Sequence, residues 1–366
     1  MFLKSLSILN YKNIGEAELR FSPGINCFLG NNGMGKSNLL DAVYYLSFCK
    51  SCSGLPDSQN VRNGEQMFML KGVYAGVAPE GDTEVHCGFK LHQKKTFKRD
   101  GKEYGRLSDH IGSVPLVIVW PEDSELVRDG SEVRRRFMDQ TLSQFDSRYL
   151  SALISYNRAL ASRNALLRKG TGPVDLFELL EEQMGLAADI VYRRRVAFVE
   201  GFAPVFEKFY ADICAGNERV SLSYRSHVAD GGLPAQLAAS RERDMAIGFS
   251  TRGVHKDDLV MEIGGFPLKK FGSQGQTKSF VIALRLAQFE FLKERSGKTP
   301  LLLLDDIFDK LDASRVERIM ALVSGSGFGQ IFVTDTNRKY LDGIVRSASG
   351  EYRLFGVENG VVSDMV

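Results

Sequence analysis

An octet near the N-terminus constrains this chain more than any other feature. Gly30-Asn31-Asn32-Gly33-Met34-Gly35-Lys36-Ser37 satisfies the pattern GxxxxGK[ST]. The stretch before it, Ile25-Asn26-Cys27-Phe28-Leu29, is short and apolar and reads as a buried strand. The stretch after it, Lys36 to Phe48, reads as a helix carrying Leu39, Leu40, Val43 and Leu46 on one stripe. A strand, a glycine loop and a helix in that order form a phosphate cradle. The glycines let the backbone curl so that successive N–H groups face phosphate oxygens, and the helix N-terminus adds its positive end. In this arrangement Lys36 reaches the β and γ phosphates and Ser37 offers a hydroxyl to Mg²⁺. The candidate nucleotide-binding run is Gly30 through Asn38: Gly30, Asn31, Asn32, Gly33, Met34, Gly35, Lys36, Ser37 and Asn38.

Such a loop needs a carboxylate at the end of a neighbouring strand. Leu301-Leu302-Leu303-Leu304 is wholly apolar, as in a buried parallel sheet, and ends in Asp305-Asp306. Asp305 is the expected metal residue. Asp306 is placed to orient or deprotonate the attacking water, which makes it the expected catalytic partner of Lys36. Most of the chain lies between Lys36 and Asp305, a gap that compact kinases and GTPases do not accommodate without a second domain. No Asn-Lys-x-Asp guanine signature is present, so ATP is favoured over GTP. Ser273-Gln274-Gly275-Gln276 pairs Ser with Gln three residues on, a capping box that opens a helix. It reads either as a helix start alone or as a second anion site. In the second case it would serve a partner's nucleotide across a homodimer.

The predicted fold is α/β, an ATPase head with a mixed sheet and flanking helices, interrupted by a mainly helical lobe. Residues 1–115 and 250–366 are expected to form the head and 116–249 the arm. Strands are expected at Leu3 to Leu9, Glu16 to Phe21, Met67 to Tyr74, Glu84 to Leu91 and Lys94 to Arg99, with Asp100-Gly101 as a hairpin turn. Helical periodicity runs from Glu132 to Ile213, broken by Gly170-Thr171-Gly172-Pro173. One predicted face carries Leu150, Ile154, Asn157, Ala161, Asn164 and Arg168, with Leu153, Leu160 and Leu167 beside it. The next helix repeats Leu176, Leu179, Gln183, Ala187, Ile190, Val191 and Phe198, and both stripes read as core packing. One helix is expected near Pro234 to Ala246.

Composition enters through charge. The total is only +2, with 43% apolar and 25% charged residues, so disorder as the dominant state is excluded. The local distribution is uneven. Residues 90–106 set Lys90, Lys94, Lys95, Lys98, Arg99, Lys102 and Arg106 against Asp100 and Glu103. Residues 148–169 carry Arg148, Arg158, Arg163, Arg168 and Lys169 with no acid. These stretches read either as solvated faces or as phosphate-neutralising patches; Lys94, Lys95, Lys98, Arg99, Arg158 and Arg163 are the candidate DNA contacts. No apolar run reaches membrane-spanning length and no signal-peptide core is present, so a cytoplasmic chain without a membrane partner is expected. Cys49 and Cys52 form a single CxxC, which reads as reduced thiols in preference to a zinc site.

The ordered set of glycine loop, long helical insertion, Ser273–Gln276 and the late Asp305-Asp306 strand resembles the ABC-type ATPase heads of SMC-like proteins. Further segments are similar to the RecF family in particular. They include Leu9-Asn10-Tyr11-Lys12-Asn13, Arg134-Arg135-Arg136-Phe137-Met138-Asp139, Tyr156-Asn157-Arg158-Ala159-Leu160, Arg163-Asn164-Ala165-Leu166-Leu167, Gly253-Val254-His255-Lys256-Asp257-Asp258 and Leu304-Asp305-Asp306-Ile307-Phe308-Asp309-Lys310-Leu311-Asp312. The resemblance implies that Lys12 lies near the nucleotide and that Ser273, Gln274, Gly275 and Gln276 contact ATP in trans. It also implies that Asp309 and Asp312 belong to a loop coupling two sites, and that Thr334-Asp335-Thr336 stands where transporter ATPases place a switch His. Lys256, Val254 and Asp309-Lys310 depart from the usual residues of their segments.

What the family implies is an ATP- and Mg²⁺-dependent DNA-binding protein of recombinational repair and replication-fork maintenance. An ATP-induced homodimer would clamp duplex, gapped or junction DNA, and slow, DNA-stimulated hydrolysis would release it. Its implied partners are DNA, the RecR and RecO proteins and, through them, RecA loading and SOS induction. A transporter ATPase subunit and a nucleotide-switched scaffold with incidental turnover are the alternatives.

Overall fold

The computed structural model describes residues 1–216, 218–308, 311–325, 327–336 and 351–365. The chain opens with β1 (Phe2–Tyr11), β2 (Ile14–Arg20), β3 (Ile25–Leu29) and α1 (Lys36–Phe48). It continues through β4 (Met67–Ala75), β5 (Asp82–Lys90), β6 (Thr96–Arg99), β7 (Lys102–Glu103) and β8 (Leu116–Val119). Then come α2 (Glu125–Arg128), α3 (Ser131–Ser143), α4 (Ser147–Lys169), α5 (Val174–Cys214), β9 (Val220–Arg225), α6 (Leu233–Ala239) and α7 (Arg241–Ile247). The remainder is β10 (Asp258–Ile263), β11 (Phe266–Pro267), α8 (Leu268–Phe271), α9 (Gln274–Ser296), β12 (Leu301–Asp305), α10 (Ala313–Ser324), β13 (Ile331–Asp335), β14 (Tyr352–Glu358) and β15 (Val361–Asp364).

Two compact units emerge, Met1–Asp123 with Leu284–Val366, and Ser124–Ala283. These boundaries differ from those expected, for reasons of strand pairing. Leu116–Val119 hydrogen-bonds in parallel to Leu301–Leu304, which places β8 in the sheet of the first unit. Asp258–Ile263 pairs with β9, which keeps that strand in the second.

In the first unit, one sheet runs β2-β1-β4-β5-β6-β7 and is antiparallel; a second runs β15-β14-β3-β13-β12-β8 and is parallel except for β14–β15. Helix α1 touches β4 of the first sheet and β12 and β13 of the second. It is therefore buried all round, every residue from Leu39 to Phe48, rather than along one stripe. Asp100-Gly101 forms the β6–β7 turn with φ 51° and 76°, as its sequence requires.

The second unit pairs α4 with α5 and carries the sheet β11-β10-β9. The buried face of α4 is Tyr149, Ala152, Tyr156, Ala159, Arg163 and Leu167, one to two residues out of step with the expected stripe except at Leu167, and Ile154 is exposed. The shift has a physical cause: Arg163 is the anchor of the interior. It donates to Glu181 at 3.0 Å and Asp244 at 2.8 Å and is 0% exposed. A second web joins Arg195 to Asp257 (2.7 Å) and Asp139 (2.8 Å), Arg134 to Asp258 (2.6 Å), and Tyr156 to His255 (2.6 Å). Buried charges persist only when paired in this way. The segments that carry the family resemblance in this unit are thus largely its polar interior. The helix expected near Pro234 to Ala246 is two helices, broken at Ser240, whose hydroxyl donates to Asp244.

Candidate nucleotide site

The parallel sheet brings the chemistry to one edge. Pairing of β3 with β13 sets Leu29 beside Asp335, and pairing of β12 with β13 sets Asp305 beside Thr334. The carboxyl ends of these strands are where ligands bind in open α/β sheets. After β3 the chain turns through the exposed residues Asn31, Asn32 and Gly33 and enters α1 at Gly35. Gly35 adopts φ 112°, and a Cβ there would meet the Asn13 side-chain amide at 2.7 Å, so only glycine serves. No side chain caps the first turn of α1. Its N–H groups point out of a buried helix at an exposed loop, as an anion site requires.

Lys36 folds back onto that loop, donating to the carbonyls of Gly30 at 2.7 Å and Asn31 at 2.9 Å. Burial pulls its ammonium below the ordinary lysine range, while Asp306, Asp305 and Asp335 act in the opposite direction. Asp305 is buried at the end of β12. Burial lifts its carboxyl above the ordinary range, opposed by the hydroxyls of Ser37 and Thr334. Thr334 Oγ1 donates to Asp305 at 2.5 Å and accepts the Asp306 N–H at 3.1 Å. Asp306 sits at φ 48°.

These residues fit a magnesium nucleotide: an uncapped helix start, a lysine lying over the loop, and a hydroxyl and a carboxylate side by side at Ser37 and Asp305.

Lys12 lies elsewhere than on the loop. Its ammonium pairs with Asp41 of α1 at 2.6 Å. Asp41 also accepts Tyr11 Oη at 2.7 Å, Ser51 Oγ at 2.7 Å and the Cys52 thiol at 2.6 Å. Burial raises this carboxyl, but Lys12 and the bonds from Cys52 and Tyr11 hold it below its ordinary value. Cys49 is buried and its thiol is pushed up to about 12.

The other candidate residues are distributed as follows. Ser273 and Gln276 form the capping box in full: Gln276 N–H donates to Ser273 Oγ at 3.2 Å and Ser273 N–H to Gln276 Oε1 at 2.8 Å. Ser273 and Gln274 are exposed, and this segment lies in the second unit. Asp312 is the N-cap of α10, accepting from Arg315 N at 2.9 Å. Asp309 lies outside the described residues.

Two candidate DNA contacts are corrected. Arg163 is sealed in the ion web of the second unit. Lys95 is held inside its own unit by Asp57 at 2.9 Å, Tyr45 Oη at 3.0 Å and Cys49 O at 2.6 Å. Lys94 and Arg158 are exposed, and Lys98 and Arg99 partly so.

Sequence reasoning missed the support of the loop. The N–H of Gly360 donates to Met34 O at 2.8 Å, and Asn13 Nδ2 donates to the same carbonyl at 3.3 Å. Asn38 Nδ2 donates to Asn13 Oδ1 at 2.8 Å. Asn359-Gly360, between Val357 and Val361, is a hairpin signal that would have revealed the β14–β15 turn.

Comparison with known proteins agrees with this geometry. The RecF/RecN/SMC N terminal domain model matches residues 2–363. The chain is 56% identical to DNA replication and repair protein RecF of Bacteroides thetaiotaomicron, over all of this chain and 99% of that protein. It is 55% identical to the protein of the same name from Phocaeicola vulgatus, over all of this chain and 98% of that protein. A solved structure of the recombination mediator protein RecF-ATPrS in the RecFOR pathway superposes with a TM-score of 0.88 at 28% identity, covering all of this chain and 98% of that one. The Smc head domain of Pyrococcus furiosus, at 16% identity and a TM-score of 0.60, shares the fold. The chain belongs to the RecF family of DNA replication and repair proteins.

Proposed function

We propose that the chain is an ATP-dependent DNA-binding protein of recombinational repair and replication-fork maintenance, working as a homodimer that ATP joins and hydrolysis parts. One observation carries this reading: the uncapped start of α1, with Lys36 folded onto its loop, opens beside the Ser37–Asp305 pair. Full-length likeness to RecF proteins favours repair over a transporter subunit.

In the proposed cycle, the first-turn N–H groups of α1 bind the phosphates, and Lys36 leaves the Gly30 and Asn31 carbonyls to pair with them. Ser37 and Asp305 would hold Mg²⁺, which neutralises charge on the phosphates. Asp306 orients the attacking water and accepts its proton. Its φ of 48° and its N–H bond to Thr334 fix where this short carboxylate starts; the turnover proposed is slow and DNA-stimulated. Ser273 to Gln276 closes on the second copy's nucleotide. Lys94, Lys98, Arg99 and Arg158 neutralise DNA phosphates. RecO and RecR are the proposed partners in the cytoplasm, with RecA loading and SOS induction downstream. Among the described residues no helix is long and apolar enough to cross a membrane.

The test is mass in solution, and DNA affinity across a salt series, with and without ATP and Mg²⁺. A dimer and a gain in affinity with ATP are expected, and Ser273→Arg should bind ATP yet stay monomeric. A monomer under every condition overturns the dimer reading, and an ATP-independent affinity overturns the clamp.

A further inference from the structure

The stripe on α5 that the sequence suggests as core is in part solvent-exposed. Its members Leu176, Leu179, Gln183 and Ile190 face outward, and Leu186, outside the expected stripe, joins them at 66% exposed. Their spacing of three, four, three and four is the heptad seam of a coiled coil, with one polar residue, Gln183, set into it. The neighbouring residues Phe177, Leu180, Met184, Ala187 and Val191 form the buried face of the same helix. α5 therefore carries two adjoining apolar stripes, and within its unit only one is covered. A contiguous exposed seam of this kind marks an interaction surface.

The seam borders a groove of about 540 Å³ between α4 and α5, with Ser147, Ser151 and Ser155 on one wall and Leu186 and Ile190 on the other. Small side chains opposite large apolar ones leave room for a knob from a third helix. Charge selects the occupant. On α5, Asp175, Glu178, Glu182 and Asp189 each precede a seam residue and are exposed, forming an acidic ridge; Asp189 also pairs with Arg193 at 2.9 Å. On the α4 side the groove is edged by Arg148. We propose that this groove receives an amphipathic helix of a protein partner. That helix carries apolar residues at heptad spacing, Lys or Arg along the edge that meets the acidic ridge, and an acid on the edge that meets Arg148. Two antiparallel copies of the seam would set one acidic ridge against the other, which disfavours self-pairing.

The test uses the full chain and two synthetic three-heptad helical peptides with Leu at the seam positions. One has a Lys edge and a Glu edge. The other replaces the Lys edge with Glu. Fluorescence anisotropy should show the Lys-edged peptide binding at least about tenfold more tightly, a difference of about 1.4 kcal/mol. Leu186→Glu should weaken it by about tenfold or more without lowering the melting temperature, because that side chain is exposed. Glu182→Lys with Asp189→Lys should reverse the preference between peptides. Equal affinity for the two peptides, or binding indifferent to Leu186→Glu, overturns the proposal. A loss of self-association in Leu186→Glu, seen as a change in solution mass, also overturns it by assigning the groove to a second copy.

Discussion

The amide of Gly360 donates to the carbonyl of Met34 at 2.8 Å, so the turn between the last two strands braces the phosphate loop from behind. Gly360 holds φ 79°, and a Cβ there would meet the backbone oxygen of Asn13 at 2.3 Å. Gly360→Ala combines a left-handed residue with a backbone clash, and should cost about 1–2 kcal/mol from the conformation alone. The loop is the part displaced, so ATP affinity should fall along with the melting temperature. Isothermal titration and a thermal melt check this; unaltered ATP affinity would show that the brace does not set the loop.

Thr334 links the two acids, as donor to Asp305 and acceptor from Asp306. Thr334→Val keeps the shape and removes both bonds. A buried carboxylate losing a donor costs about 1–3 kcal/mol. With its carboxyl already raised by burial, Asp305 should then hold its proton to still higher pH. Mg²⁺-dependent ATP binding should weaken and its pH midpoint should rise, while Thr334→Ser stays close to the parent. An identical pH midpoint in Thr334→Val would remove Thr334 from the metal side of the site.

The candidate nucleotide site could be proposed from sequence because its demands are local. A glycine loop, a lysine and a hydroxyl sit within eight residues, and Asp305 follows an apolar strand that only a buried sheet explains. What surrounds the loop was less legible, because Asn13 and Gly360 reach it only through tertiary pairing. In the arm, the stripe misjudged by one to two residues shows where periodicity fails. Leu and Ile at Leu150 and Ile154 suggested core, yet the burial belongs to Tyr149, Tyr156 and Arg163. A guanidinium in the interior is read as surface from sequence alone, since the Glu181 and Asp244 that neutralise it lie far along the chain. The same logic placed Arg163 and Lys95 wrongly among DNA contacts.

Arg163 and Arg158 lie on the same helix and should behave in opposite ways. Arg163→Met leaves Glu181 and Asp244 buried with less compensation, at a cost of about 3–5 kcal/mol. The protein should melt far earlier, while any folded fraction keeps its DNA affinity. Arg158→Ala should leave the melt unchanged, weaken DNA binding uniformly across sequences and reduce the slope of affinity against salt by about 1. A stable Arg163→Met with weakened DNA binding would reverse the assignment.

Two buried histidines give the fold a defined acid limit. His255 Nε2–H donates to Ser250 O at 3.0 Å, which leaves Nδ1 to accept from Tyr156 Oη at 2.6 Å. Its pKa is pushed down to about 4, chiefly by burial and further by Lys256 and Arg135. His110, donating to Leu46 O at 2.7 Å, is likewise pushed down to about 4 by burial. Each is neutral when folded and titrates near 6.5 when unfolded. Below pH 6.5 the unfolded chain therefore binds more protons. Stability is full above that value and is lost as pH falls toward 4, on the order of 3 kcal/mol for each histidine. Histidine resonances should show both rings titrating near pH 4. His255→Gln, which keeps a donor and an acceptor, should be less stable at neutral pH but lose less between pH 6.5 and 4. A variant with the wild-type slope over that interval would mean that the carboxylates, not His255, set the acid limit of the second unit.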